Sequence, residues 1–233
     1  MSDDDIAIPR TEKFRHEGLK ACPFCENKAV ATYGAHGGSL AIRCTDCKGS
    51  TRSIEFPETF GGPWKKIWEF MRDEAALLWN MRDEDNARAR ANSYKTAITR
   101  KRLSAPTRFL QEKGLLVGKV LDYGCGKGTD AFLLGADKYD PHFFPEEPKR
   151  LYDTIICIYV LNTVPPADTD RIVYKIRSLL KKGGIAYLAV RNDAKLGFTK
   201  RGTLQHCSRP PGKLLKWYKN RFAIYGVTAH ETD

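Results

Sequence analysis

Val120-Leu121-Asp122-Tyr123-Gly124-Cys125-Gly126-Lys127-Gly128 decides the fold of this 233-residue chain. Lys119–Tyr123 is a short apolar run that reads as a buried strand and ends beside a carboxylate. The glycines that follow occupy alternate positions, and Thr129–Leu134 then reads as a short helix. Glycines at such a turn let the backbone take positive φ or come close to a ligand. Further along, Thr154–Leu161 reads as a strand, Asp168–Leu180 as a helix and Gly184–Val190 as a strand. Strand-helix-strand alternation of this kind predicts an α/β doubly wound fold with a parallel sheet. Ligands in such sheets bind outside the carboxyl ends of the strands.

In dinucleotide-binding folds a glycine turn admits a pyrophosphate to a helix N-terminus. Here Asp122 precedes the first glycine by two positions, which suits a different ligand. S-adenosylmethionine has no phosphate, only a nucleoside, an amino-acid end and a sulfonium. Asp122 can pair with its ammonium, directly or through water, while Tyr123, Gly124, Gly126 and Gly128 line its body. Asp140, at the end of the expected second strand, is placed to accept the ribose hydroxyls, with Asp137 the competing carboxylate. The spelling of the loop resembles motif I of class I methyltransferases. That resemblance implies a Rossmann-like class I methyltransferase domain with S-adenosylmethionine as cofactor. The run Asp153–Asn162 matches the fourth strand of the same fold, and Leu161 at its end joins the expected cofactor-facing set. Only about a dozen residues separate Asp140 from this run, so the domain is expected to be abbreviated, short of its third strand and helix.

Two nucleic-acid subclasses leave marks that are missing here. Amino-methylating DNA enzymes carry Asp/Asn/Ser-Pro-Pro-aromatic after the fourth strand, whereas this chain reads Asn162-Thr163-Val164-Pro165-Pro166-Ala167. Carbon-5 pyrimidine enzymes need a Pro-Cys nucleophile, and Cys157 sits mid-strand without a preceding proline. Asn162 is then the polar residue best placed to orient a methyl acceptor, the alternative being a strand cap. Lys95-Thr96-Ala97-Ile98, Leu103-Ser104-Ala105-Pro106, the glycine loop, Tyr139-Asp140-Pro141 and Tyr159-Val160-Leu161-Asn162 resemble the methyltransferases encoded beside DNA phosphorothioation genes.

Cys22-Pro23-Phe24-Cys25 and Cys44-Thr45-Asp46-Cys47 are two tight pairs separated by eighteen residues. Two residues between cysteines let both thiolates turn onto one ion, so two such knuckles complete a tetrahedral zinc site with no open position. The metal is therefore expected to be structural. His36 lies between the knuckles but is not needed as a ligand. Leu19–Cys25, Ile42–Cys47 and the later Ala75-Ala76-Leu77-Leu78-Trp79-Asn80-Met81-Arg82 resemble the Lar-like restriction-alleviation zinc ribbons of phages and prophages. The expected organisation is a zinc ribbon over 18–58, a connecting helix over 59–91 and the methyltransferase domain over 92–233.

The net charge of +11 is unevenly placed. Residues 1–87 hold 12 basic against 15 acidic side chains, leaving 27 against 13 in residues 88–233. The stretch 86–108 has seven Lys or Arg and no acid, and is expected to be helical up to Ser104-Ala105-Pro106; the stretch 194–230 has eight and no acid. Interleaved aromatics such as Tyr94, Phe198 and Trp217 suit stacking on bases. A polyanionic partner is implied, nucleic acid first and DNA ahead of RNA, with a host restriction-modification component possible through the ribbon resemblance. Two other readings stand beside it: a non-catalytic anti-restriction or regulatory protein, and a methyltransferase for proteins or small molecules. No apolar run spans a bilayer and the acidic start has no apolar signal region, so a cytoplasmic location without membrane partners is expected.

Overall fold

The computed structural model describes residues 19–22, 31–36, 39–44, 54–55, 72, 75–194 and 197–229. The chain forms two compact units, Met1–Asp85 and Asn86–Asp233. In the first, β1 (Ala31–His36) and β2 (Ser39–Cys44) form an antiparallel hairpin, with Ala31 opposite Cys44 and His36 opposite Ser39. The two-residue strand β3 (Ile54–Glu55) pairs with β2. Cys22 and Cys44 are buried; Cys25 and Cys47 lie outside the described residues, as does most of the helix expected from Trp64 onward. Its end, a helical stretch over 75–80, buries Ala75, Ala76 and Trp79.

That stretch grips the chain leading into the first knuckle. The Trp79 indole N–H donates to the Lys20 carbonyl at 3.0 Å, and Asn80 Oδ1 accepts the Lys20 N–H at 2.7 Å. Arg82 Nη2 donates to the Ala21 carbonyl at 2.7 Å. Backbone groups in so short a segment have few other partners, which gives Trp79-Asn80 a physical duty.

The second unit is built on a six-stranded sheet. Its strands are β4 (Val120–Tyr123), β5 (Asp137–Tyr139), β6 (Tyr152–Ile158), β7 (Leu180–Arg191), β10 (Lys213–Tyr218) and β11 (Phe222–Thr228). Their spatial order is β10-β11-β7-β6-β4-β5. The four strands from β4 to β7 run parallel, and β11 and β10 are antiparallel additions beside β7. Helix α1 (Asp83–Asn92) crosses the boundary between the units, and α2 (Ala105–Glu112), α3 (Thr129–Leu134) and α4 (Thr169–Ser178) complete the second. A small hairpin, β8 (Gly197–Phe198) and β9 (Leu204–Gln205), follows β7.

Alternate residues of the central strands supply two apolar layers, because successive strand side chains point to opposite faces. Ile155, Cys157 and Leu188 pack with Val173 and Ile176 of α4, whereas Ile156, Tyr187 and Ala189 pack with Leu110 of α2. Both faces are covered, which is why β6 and the second half of β7 read as unbroken apolar runs. Between β5 and β6 the chain forms neither helix nor named strand, as the short spacing anticipates.

Two expectations change. Ser104-Ala105-Pro106 starts a helix instead of ending one. Proline is tolerated in a first turn, where its missing N–H would be unsatisfied anyway. The Ser104 hydroxyl caps α2 by accepting from the Thr107 N–H at 3.4 Å. The cap is anchored on α3: Asp130 accepts from the Ser104 N–H at 2.9 Å and from the Thr107 hydroxyl at 2.6 Å. All three side chains are buried. The basic tail, read only for its charge, turns out to hold the β10–β11 hairpin.

Candidate active site

A cleft of about 1380 Å³ opens at the carboxyl ends of β4, β6 and β7. That exceeds the usual 300–1,000 Å³ of a single-ligand pocket, leaving room for a second reactant. Its floor at one end is the glycine loop, with Tyr123, Gly124, Cys125 and Gly126 in the lining. The Gly124 and Cys125 N–H groups both donate to the Tyr139 carbonyl, at 2.7 and 3.0 Å, so the loop is tied to the end of β5. Gly124, Gly126 and Gly128 have φ of +74°, +53° and +75°. Gly128 caps α3 and Asp122 lies beneath the loop; neither is part of the lining.

Asp122 is 3% exposed, and burial first, then the nearby charge of Asp130, pushes its carboxyl up to about 8. A cation seated on the loop would lower that value. Asp140 lines the cleft and Asp137 does not. Asp137 is instead held by Lys119 at 2.8 Å and by the Tyr152 hydroxyl at 3.0 Å. Asp140 Oδ2 accepts from the Gly126 N–H at 3.0 Å, and Oδ1 from the His142 and Phe143 N–H groups at 2.9 and 3.0 Å. Oδ1 is filled by its two donors, but Oδ2 keeps room for another, so a ribose hydroxyl can still be accepted there. The same side chain would then connect nucleoside, glycine loop and the 141–144 turn.

At the end of β6 the backbone turns through Tyr159, whose φ is +63°. A bulky residue in this region costs about 1–3 kcal/mol and marks a position the surrounding structure enforces. The turn resets the alternation, and the place expected for Leu161 changes with it. Leu161 is completely buried in the core, and Tyr159 and Val160 form the cleft wall at that level. Asn162 is also completely buried. Its Oδ1 accepts the Arg191 N–H at 2.7 Å, and its Nδ2 donates to the Arg191 and His206 carbonyls. A side chain so committed pins β7 to the segment after β9, and Asn162 also stands among the residues that line the cleft. Asn162→Ala is therefore expected to cost about 2–4 kcal/mol, since it strands buried backbone groups. Thermal unfolding checks this; a full loss of turnover at unchanged melting temperature would show the catalytic role instead.

Sequence reasoning missed the strap over 93–100, whose Tyr94, Lys95, Thr96, Ala97, Ile98 and Arg100 line the cleft. A Cβ on Gly126 would come within 2.9 Å of the Ala97 Cβ, so the strap lies against the loop. The charge of Arg100 bears on both Asp122 and Tyr159, placing it between the loop and the β6 end. Its acid-free composition, Tyr94 as a stacking candidate and the Lys95–Ile98 resemblance pointed to this stretch, but none of them placed it at the cleft.

A Rossmann-like α/β sheet with a glycine loop and the Asp140 carboxylate beside it at the carboxyl edge is the framework of a nucleotide- or nucleoside-binding fold. Residues 94–225 match the family model described as "Methyltransferase domain", more than half of the chain, and the chain belongs to that family. It is an S-adenosylmethionine-dependent methyltransferase. Among curated proteins no sequence matches. Among solved structures, the DhpI complex with S-adenosylhomocysteine is 13% identical, covering 64% of this chain and 97% of that one, with a TM-score of 0.39. TehB from Haemophilus influenzae is 14% identical over 61% of this chain and 67% of its own, TM-score 0.40. The magnesium protoporphyrin IX methyltransferase of Synechocystis PCC 6803 is 15% identical over 72% and 98%, TM-score 0.33.

Proposed function

We propose that the methyl acceptor is nucleic acid, DNA ahead of RNA. The observation that carries this reading is the charge of the cleft. Ten basic side chains and four carboxylates line it. Three of the carboxylates are taken: Asp168 by Arg90, Glu147 by Lys175 and Asp193 by Arg191. Lys95, Arg100, Lys127, Lys200, Arg201 and Arg221 have no ion pair among the described residues. The cofactor is itself cationic, so such a lining is not there for the cofactor alone; it favours a polyanion.

The cofactor supplies an electrophilic methyl group on a sulfonium. Asp140 offers negative charge at the glycine-loop end, Asp122 adds to it once a cation seated on the loop displaces its proton, and Arg100 offers positive charge for the cofactor's carboxylate. With the cofactor bound, the acceptor's lone pair would take the methyl carbon, the carbon–sulfur pair would pass to sulfur, and any proton displaced from the acceptor would leave to solvent. Tyr159 and Val160 fix where that lone pair approaches, so positioning carries much of the acceleration.

Incubating the purified chain and radiolabelled cofactor with a bacterial lysate, then sorting label by polymer class, tests the reading. Label is expected in DNA; label confined to protein or small molecules overturns it. Lys200→Glu with Arg221→Glu is expected to weaken DNA binding at least tenfold, the order of effect for two lost phosphate contacts.

The four N-terminal cysteines are proposed to hold one structural zinc ion. Their spacing and the burial of Cys22 and Cys44 support it. The Lar-like resemblance of the ribbon further supports a phage or prophage setting in which methylation shields DNA from host restriction.

A further inference from the structure

A second hollow opens beside the main cleft. It is lined by Tyr94, Lys95, Ala97, Lys127, Phe143 and Arg201. Every charged residue in that lining is basic, and the two large uncharged ones are aromatic. Tyr94 is 37% exposed, with one face of its ring stacked on His142 at 3.9 Å and 17°. Phe143 meets the same ring edge-on at 6.5 Å. His142 and Phe143 are themselves fixed, because their N–H groups cap the Asp140 carboxylate. One face of the Tyr94 ring is thus held by His142 where the ring borders the hollow, and the Lys95 Nζ lies 5.9 Å from the ring centroid. Lys95, Lys127 and Arg201 have no carboxylate partner among the described residues. A preset aromatic plane with unpaired cations around it is the recognition chemistry of one nucleotide: a base for the ring and a phosphodiester for the charges.

We propose that this hollow is a subsite for the nucleotide flanking the one that is methylated, with its base against Tyr94 and its phosphate between Lys95 and Arg201. The subsite rests on the nucleic-acid reading above. Tyr94, Lys95, Lys127 and Arg201 line both spaces, so a strand can pass from one to the other without leaving the basic lining. A flanking base read by stacking selects for single-stranded or locally opened substrate, and only weakly for sequence.

The test uses the full chain with S-adenosylhomocysteine present and a fluorescein-labelled 12-nucleotide single-stranded DNA, followed by anisotropy across a salt series. Tyr94→Ala is expected to weaken binding about tenfold, the size of one lost stacking contact, and Tyr94→Phe to keep it. Arg201→Gln is expected to reduce the salt slope by about 0.7, the share of one single-strand phosphate. Arg150→Gln, on the loop before β6 and outside both linings, serves as the control and is expected to leave both quantities unchanged. Tight binding by the wild type that Tyr94→Ala and Arg201→Gln leave unchanged overturns the subsite alone. No binding of DNA or RNA oligonucleotides by the wild type overturns the nucleic-acid reading as well. Circular dichroism of each variant separates a lost contact from a lost fold.

Discussion

A Gly124→Ala chain is expected to bind S-adenosylhomocysteine at least about 100-fold more weakly in calorimetry, while its unfolding temperature moves by only a few degrees. The φ of +74° alone costs a non-glycine residue about 1–2 kcal/mol. The larger effect is positional. A Cβ there would sit 2.4 Å from Val160 Cγ2, inside contact distance, and Val160 is part of the cleft wall. Valine is stiff about χ1, so the loop moves before the wall does. Displacing it strains the two N–H bonds to the Tyr139 carbonyl and shifts the surface against which the cofactor lies. A loss of about 3 kcal/mol from that strain and the lost contacts corresponds to the 100-fold change in affinity. Gly135→Ala gives the contrast. Its φ of +63° carries a similar conformational cost, but nothing lies within 4 Å of the added carbon. That variant should lose stability alone; equal cofactor affinity in both would show the steric account to be wrong.

Asp130→Ala is expected to destabilise the apo chain by about 3 kcal/mol, because it removes a buried carboxylate that accepts from both the Ser104 N–H and the Thr107 hydroxyl. For a chain of this size that is roughly 6–12 °C in melting temperature. The same charge bears on Asp122, whose carboxyl is held at about 8 instead of its ordinary value near 4. The sign follows from proton counting. The folded state keeps a proton on Asp122 that the unfolded chain releases above about pH 4, so stability present at low pH is lost as the pH rises toward 8. Asp122→Asn should flatten that decline between pH 5 and 8. Asp130→Asn should reduce it, because the charge that raises Asp122 is gone. Melting curves of the three chains across the pH range decide the matter; parallel curves for wild type and Asp122→Asn would remove the assignment.

β4, β6 and β7 were legible because each carries an apolar run closed by a turn signal, and the glycine loop names its own position between strand and helix; β5, Asp137-Lys138-Tyr139, has no such run and was placed only through Asp140. The absence of a unit after Asp140 could be read from spacing alone. Three things could not be. Pro106 stops a helix or starts one depending on whether Ser104 finds a cap, and that depends on Asp130, some 26 positions away. The duties of Leu161 and Asn162 depend on Tyr159 taking a left-handed conformation, which its residue type does not advertise. The strap over 93–100 has no apolar period at all. Its side chains gain meaning only when the fold brings Ala97 against Gly126, and a one-dimensional pattern does not record such an encounter.

With no strand beyond β5 among the described residues, both margins of the sheet face the hazard of joining another chain edge to edge. Each is protected differently. At β5 the exposed ladder is only three residues long, and the chain folds back at once through the Asp140–Phe144 bridge. At β10 a register shift between Leu214 and Lys216 breaks the ladder, and Lys213 and Lys216 place charge along it. Short, kinked or lysine-bearing margins are poor templates for aggregation. Both margins therefore disfavour edge-to-edge pairing, and shortening Lys216 or straightening the Leu214–Lys216 kink would be the changes to watch for loss of soluble yield.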